Sequence, residues 1–276
     1  MKSFRPYTAL AGIVLGAVAV GIAVRSIWPD QIWVNQPLHS SLEALGGLAA
    51  IAMAFVLLAS KPEQSEGKAQ IVAVGFLGMG LLECFHAVSP PGDGFVFLRS
   101  VASLMGAVAF ALAVAPRSVT RVGTSPWVPA SIAGGAICLG LWTLSFPESV
   151  PPMTVGGKFA LQAIILNALA ATLFIVSAIG FLADFRRSSQ SLAYLFAYLG
   201  LLFGMAEIMF LRSAPWDSGW WYWHILRVIA YLLVLGYVNR GYALMVSALR
   251  QALAQAQRSA RRLAAQYKVT RVLAES

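Results

Sequence analysis

The chain has three histidines, and each sits three or four residues from an acid or a base. His39 and Glu43 are four apart, Glu83 and His86 three, His224 and Arg227 three. At either spacing two side chains share one face of a helix. Arg99 and Glu207 complete a set of eight ionisable groups in otherwise apolar stretches. Imidazole and carboxylate together suit zinc, copper or iron, and Glu-x-x-His on a helix recurs in metal-binding bundles. The candidate metal ligands are therefore His39, Glu43, Glu83, His86, Glu207 and His224. Two facing histidines could also hold a b-type haem. Two further readings fit the same residues. All eight could line a pocket for an organic or protonatable ligand. Alternatively, Arg99 and Arg227 could neutralise Glu43, Glu83 and Glu207, with the histidines as hydrogen-bond partners.

The elements that must position these groups follow from composition. Of 276 residues, 59% are hydrophobic and 11% charged, with a mean hydropathy of +0.73. Soluble domains carry about 25% charged residues, so a water-soluble domain, a disordered chain and an ordinary nucleic-acid binder are excluded. Cys84 and Cys138 lie in apolar runs and give neither a disulfide framework nor a zinc-knuckle spacing. A bilayer core needs about 20 apolar residues per helical span. Eight stretches qualify, near 7–28, 38–60, 69–89, 94–115, 127–146, 157–185, 191–213 and 219–247. Short connections such as Pro90-Pro91-Gly92-Asp93 carry turn chemistry. The first stretch follows Lys2 and Arg5 as a signal peptide would, but it is long and lacks a small-x-small cleavage site. The expected fold is all-α, a polytopic membrane bundle of about eight transmembrane helices.

The net charge of +9 reads as topology. Lys2 and Arg5, Lys61 and Lys68, Arg117 and Arg121, Arg186 and Arg187, and the arginine-rich tail fall in alternate connections. The intervening loops hold mainly Asp30, Asp93, Glu148, Lys158 and Asp217. Both termini are then cytoplasmic, in a bacterial inner membrane. Trp28, Trp33, Trp142, Trp216, Trp220, Trp221 and Trp223 are expected at the outer interface, and Trp127 at the inner one. In this topology the eight ionisable groups, from five helices, lie two to eight residues from an outer boundary, about 3–12 Å deep at 1.5 Å per residue. Groups of this kind inside a span cost about 2.5–3.5 kcal/mol each on insertion scales and mark function. Beside them, Asn167 and Gln162 could add polar contacts, Arg212 reads as an interface anchor, and Cys84, Met205 and Met209 as packing. Gly200-x-x-x-Gly204, with Gly75, Gly78 and Gly80, permits close helix approach.

Two segments result: a transmembrane region over 1–247 and a cytoplasmic helix over 248–276. In the second, Leu249, Leu253, Ala256, Ala260, Leu263, Tyr267, Thr270 and Ala274 repeat in steps of four and three. This is a coiled-coil seam that fits a homodimer. A basic helix lying on anionic lipid is the rival reading. The pattern stops at Ser276, so an output domain is expected beyond it.

His39-Ser-Ser-Leu-Glu43, Leu-Leu-Glu83-Cys-Phe-His86 and Phe-Leu-Arg99, each opening or closing a span, resemble the bacterial membrane-associated sensor (MASE) domains, most of all the third type. Trp223-His224-Ile-Leu-Arg227-Val-Ile-Ala-Tyr231 is similar to that family's last helix. The tail ending Leu-Ala-Glu-Ser276 resembles the lead-in to a GAF domain of sensor kinases. The resemblance implies an input module fused to a histidine kinase, with a downstream response regulator, or to a diguanylate cyclase. It implies no ligand. The expected function is a membrane-embedded sensor that reads a ligand, metal or redox cue at the polar layer and transmits it through the last helix. The alternatives are an intramembrane metal-dependent enzyme, a haem or redox protein and a transporter. No His-x-x-x-His pair, Ser/His/Asp set or internal repeat supports these.

Overall fold

The computed structural model describes residues 5–29, 31–60, 66–116, 125 and 127–275. Of the charges used for topology, Lys2, Asp30, Lys61, Arg117 and Arg121 lie outside these, as does Ser276. The helices are α1 (Arg5–Ile27), α2 (Gln36–Ser60), α3 (Glu66–Val88), α4 (Asp93–Val114), α5 (Trp127–Ser145), α6 (Leu161–Ser188), α7 (Ser191–Phe210) and α8 (Ser218–Glu275). The chain is an all-α membrane bundle. Among the described residues seven helices, α2 to α8, are long and apolar enough to cross a membrane. Of the first expected span, α1 covers Arg5–Ile27, and its apolar described stretch is Ala11–Ile27.

The chain divides into two compact units, Met1–Leu235 and Gly236–Ser276. In the first, α3 packs against α2, α4 and α5, α4 also packs against α6, and α6 against α7. Burial confirms α3 as the central helix: 78% of its apolar window is enclosed, against 17% for α5. Glycines set the closest crossings. A Cβ on Gly80 would stand 2.6 Å from the carbonyl oxygen of Gly47, and one on Gly47 2.8 Å from that of Gly80. Gly200 meets the Phe174 carbonyl at 2.9 Å and Gly204 the Ala171 carbonyl at 3.3 Å in the same sense, so the Gly200-x-x-x-Gly204 pair does fit α7 onto α6. Phe110 forms the hub of an aromatic core, edge-on to Phe76, Phe174, Phe181, Phe196 and Phe203.

Two connections shape the end that carries the polar layer. The sixth helix begins later than the hydropathy predicts, because Thr154–Val155 and Lys158–Phe159 pair as β1 and β2. Gly156 and Gly157, at φ 57 and 75, make the turn. Asp93, in the first turn of α4, accepts hydrogen bonds from Met153 N–H and from the backbone and hydroxyl of Thr154, which fixes the hairpin to that helix. Before α8, Asp217 caps the helix by accepting from Trp220 N–H at 2.6 Å, and its second oxygen accepts from Ala214 N–H at 2.7 Å. Trp216 has φ 71, a left-handed conformation that a bulky residue adopts at a cost of about 1–3 kcal/mol.

The second unit is the continuation of α8. In the single chain Leu249, Leu253, Leu263 and Tyr267 of the proposed seam are all exposed.

Candidate functional site

His39, Glu43, Glu83, His86, Arg99, Glu207, His224 and Arg227 are all buried, none more than 4% exposed. They come from α2, α3, α4, α7 and α8. A buried charge must be paired, or it costs several kcal/mol. The structure shows how each is met, and the eight fall into three adjoining groups.

The first is a closed ion pair. Arg99 donates from Nη1 to Glu207 Oε2 at 2.8 Å and from Nη2 to Glu207 Oε1 at 2.7 Å. This fork-to-fork geometry is the strong form of the contact. Nη1 also reaches Ser103 Oγ at 2.6 Å and Asn167 Oδ1 at 2.9 Å, and Ser103 Oγ donates to Glu207 at 2.8 Å. Asn167 in turn donates to Ser100 Oγ and to the Ala163 carbonyl. The guanidinium lies 4.2 Å from the Trp223 ring centre and 5.0 Å from that of Phe210. With both oxygens of Glu207 taken by Arg99, this carboxylate stands apart from the histidines as a structural anchor.

The second group joins α2, α3 and α8. Arg227 Nη2 donates to Glu83 Oε1, and Tyr231 Oη donates to the same oxygen at 3.2 Å. Glu43 Oε2 lies 3.6 Å from Arg227 Nη2. Each arginine is thus matched to one glutamate, and Glu43 is the acid left without an arginine of its own.

The third group is the histidines. His39 Nε2 and His224 Nε2 are 3.1 Å apart, and His224 Nε2 is 3.3 Å from Glu43 Oε1. His224 Nδ1 donates to the Trp220 carbonyl and His86 Nδ1 to the Phe95 carbonyl, each at 2.7 Å. His86 Nε2 and His39 Nδ1 are buried with no partner. Among the described residues, His39, Glu43, His86 and His224 offer ligand atoms that all lie within 4.8 Å of one another. Of the six ligand candidates, these four converge, while Glu83 and Glu207 face Arg227 and Arg99.

Four tryptophans expected at a membrane interface are instead buried over this cluster: Trp216, Trp220, Trp221 and Trp223. Trp220 stacks on His39 at 4.8 Å, and Trp223 stacks on His224 at 3.6 Å. The Asp217 cap turns the chain so that their rings face inward. Trp28, Trp33 and Trp142 keep their expected exposure. A cavity of about 10 Å³ lies among His86, Arg99, Trp220, Trp223 and His224, about the space of one water molecule. A porphyrin does not fit there. Asn167 joins the site as anticipated, while Gln162 is exposed on α6. Ser103, Tyr231 and the carbonyls of Phe95 and Trp220 were not foreseen; Ser103 and Tyr231 do lie four residues beyond Arg99 and Arg227, on the same faces. The Arg212 carbonyl accepts a hydrogen bond from Arg25, which ties α1 to the end of α7.

The family model of the membrane-associated sensor domain MASE3 matches residues 32–239. The chain belongs to this family. The matched stretch contains all eight site residues and the buried tryptophans, and it begins after α1. The match covers α2 to α7 and the first part of α8. No curated protein and no solved structure matches the chain. In this MASE3 domain the polar layer is enclosed, internally neutralised except at Glu43, and built around three imidazoles.

Proposed function

We propose that this MASE3 domain is the sensory input module of a bacterial signalling protein, that its cue acts at the His/Glu/Arg layer, and that its output leaves along α8. One observation carries the reading: His224, Arg227 and Tyr231, which bind the layer together, stand on the helix that runs on to Glu275. A cue that alters Glu43 or the histidines alters the forces on α8 directly, and it shifts the equilibrium by its differential affinity for the two arrangements. The exposed seam from Leu249 to Tyr267 suits pairing with a second copy, which is how a helix delivers such a change to a histidine kinase and its response regulator, or to a diguanylate cyclase. With the site end outward, the tail is cytoplasmic. An enclosed site without a cleft favours a sensor over an intramembrane hydrolase, which must admit a substrate.

The test is a chimera of the chain with a kinase of known output, assayed in cells against a panel of metal ions, redox agents and small ligands. His224→Ala and Glu83→Gln are expected to fix the output or abolish its response in protein that still reaches the membrane. A response identical to wild type for every cue refutes the role given to the layer.

A further inference from the structure

The enclosed cluster of His39, Glu43, His86 and His224 has the donors, the orientation and the charge deficit of a metal site. We propose that these four residues bind one divalent first-row transition-metal ion in four-coordinate geometry, with zinc the best match. The inference rests on the sensor reading only for its purpose; the site itself stands on geometry.

Orientation comes first. His86 and His224 each donate Nδ1–H to a backbone carbonyl at 2.7 Å. That bond fixes the neutral tautomer and leaves the Nε2 lone pair free, the arrangement by which ligating histidines are held to a metal. His86 Nε2 has no partner although it is fully buried, a cost that only an occupant removes. Spacing comes second. Ligands at about 2.0–2.1 Å from a tetrahedral zinc stand about 3.3–3.4 Å from each other. The pairs His39 Nε2–His224 Nε2 at 3.1 Å and His224 Nε2–Glu43 Oε1 at 3.3 Å already approach that edge. The widest ligand separation, 4.8 Å, closes by about 1.5 Å when the ion is held.

Charge comes third. Arg99 is matched to Glu207 and Arg227 to Glu83, so the layer carries one net negative charge, at Glu43. A proton on one imidazole would neutralise it but would leave the other lone pairs unused. A divalent cation brings the layer to +1 and uses all three imidazoles and the carboxylate, so the donor set rather than the charge sum favours the metal. Three imidazoles with a single carboxylate favour zinc, copper or iron over magnesium or calcium. The cavity beside His86 and His224 is about 10 Å³ and has no room for an organic ligand. Binding also explains a response: the ion takes Glu43 Oε1, while Oε2 faces Arg227 of α8, so the hold of Glu43 on that helix weakens.

The full chain in nanodiscs, loaded with Zn²⁺ and then desalted, is expected to retain about one zinc per chain by elemental analysis, with X-ray absorption showing nitrogen and oxygen neighbours at about 2.0–2.1 Å and imidazole scattering. His86→Ala and His39→Ala are expected to lower affinity at least tenfold, and Cys84→Ala to retain the ion. Retention of no zinc, cobalt or copper by wild-type protein overturns the inference. So does retained metal without imidazole scattering, a measurement that needs no variant to fold. If no ion binds while His224→Ala still alters the chimera's output, the metal is refuted and the sensor reading stands. If the ion binds and the His224→Ala and Glu83→Gln chimeras answer every cue as wild type does, the metal site stands and the sensor reading falls.

Discussion

His39 and His224 are 185 positions apart in the chain, and their Nε2 atoms meet at 3.1 Å. With His224 neutral and its Nδ1–H committed to the Trp220 carbonyl, the contact without metal has His39 donating from Nε2, which leaves His39 Nδ1 as the unpartnered atom. The pair locks the start of α2 to the start of α8. Replacing either imidazole by alanine strands the other, at a cost of about 1–3 kcal/mol. The double variant His39→Ala/His224→Ala is expected to lose about 1 kcal/mol less than the two single losses together. Thermal unfolding of all four proteins in nanodiscs, under chelator, measures the difference.

The Arg99–Glu207 pair gives a sharper contrast. Removing one member leaves a naked charge between Trp223, Phe210 and Ser103, so Glu207→Leu alone is expected to destabilise by about 3–5 kcal/mol. Arg99→Met with Glu207→Leu removes both charges and is expected to recover most of that loss. Denaturant unfolding followed by tryptophan emission separates the two outcomes. Zinc affinity should change little in the double variant, because Glu207 stands apart from the histidine cluster.

Tryptophan emission also reports on the cluster directly. Trp220 and Trp223 lie 3.9 and 3.6 Å from the His224 ring centre. Cu²⁺ or Co²⁺, which quench nearby indoles, are expected to dim the fluorescence saturably at about one ion per chain. His86→Ala should shift that titration to higher concentration. Quenching that is linear and unaffected by the substitution would indicate collisional contact alone.

Much of this site is legible in the sequence, and the reason is local. His39 with Glu43, Glu83 with His86, and His224 with Arg227 each lie within one helical turn, so their shared faces follow from spacing. Their common depth follows from distance to a helix end. Which acid meets which base does not, because it depends on which helices are neighbours. Arg99 and Glu207 are 108 positions apart, and no local pattern prefers Glu207 to Glu43. The tryptophans misled for a related reason. A Trp-rich segment near a span boundary fits a membrane interface, yet the Asp217 cap and the left-handed Trp216 turn it inward. Glycine spacing predicted close packing correctly at Gly200 and Gly204, because a helix pair needs nothing further to approach.

Close packing has its own test. The Gly47–Gly80 crossing sets the distance between the pair on α2 and the pair on α3. A methyl group on Gly80 would meet the Gly47 carbonyl at 2.6 Å and Ile51 Cγ1 at 2.9 Å. Gly80→Ala is expected to cost about 1–3 kcal/mol through overpacking. It should also weaken zinc binding, although residue 80 touches no ligand. Isothermal titration beside thermal unfolding checks both effects.

Trp33 N–H donates to the Trp216 carbonyl, Trp221 Nε1–H donates to the Trp33 carbonyl, and Ile32 bridges to Asp217. The segment before α2 is thereby sewn to the segment before α8 above the histidines. A visitor from that end must wait for these stitches to open, and local opening is slow beside diffusion. The rate of arrival is then set by the breathing of the protein itself. A cue that enters by this route would be averaged over brief pulses, and a sustained change in the surroundings would weigh most.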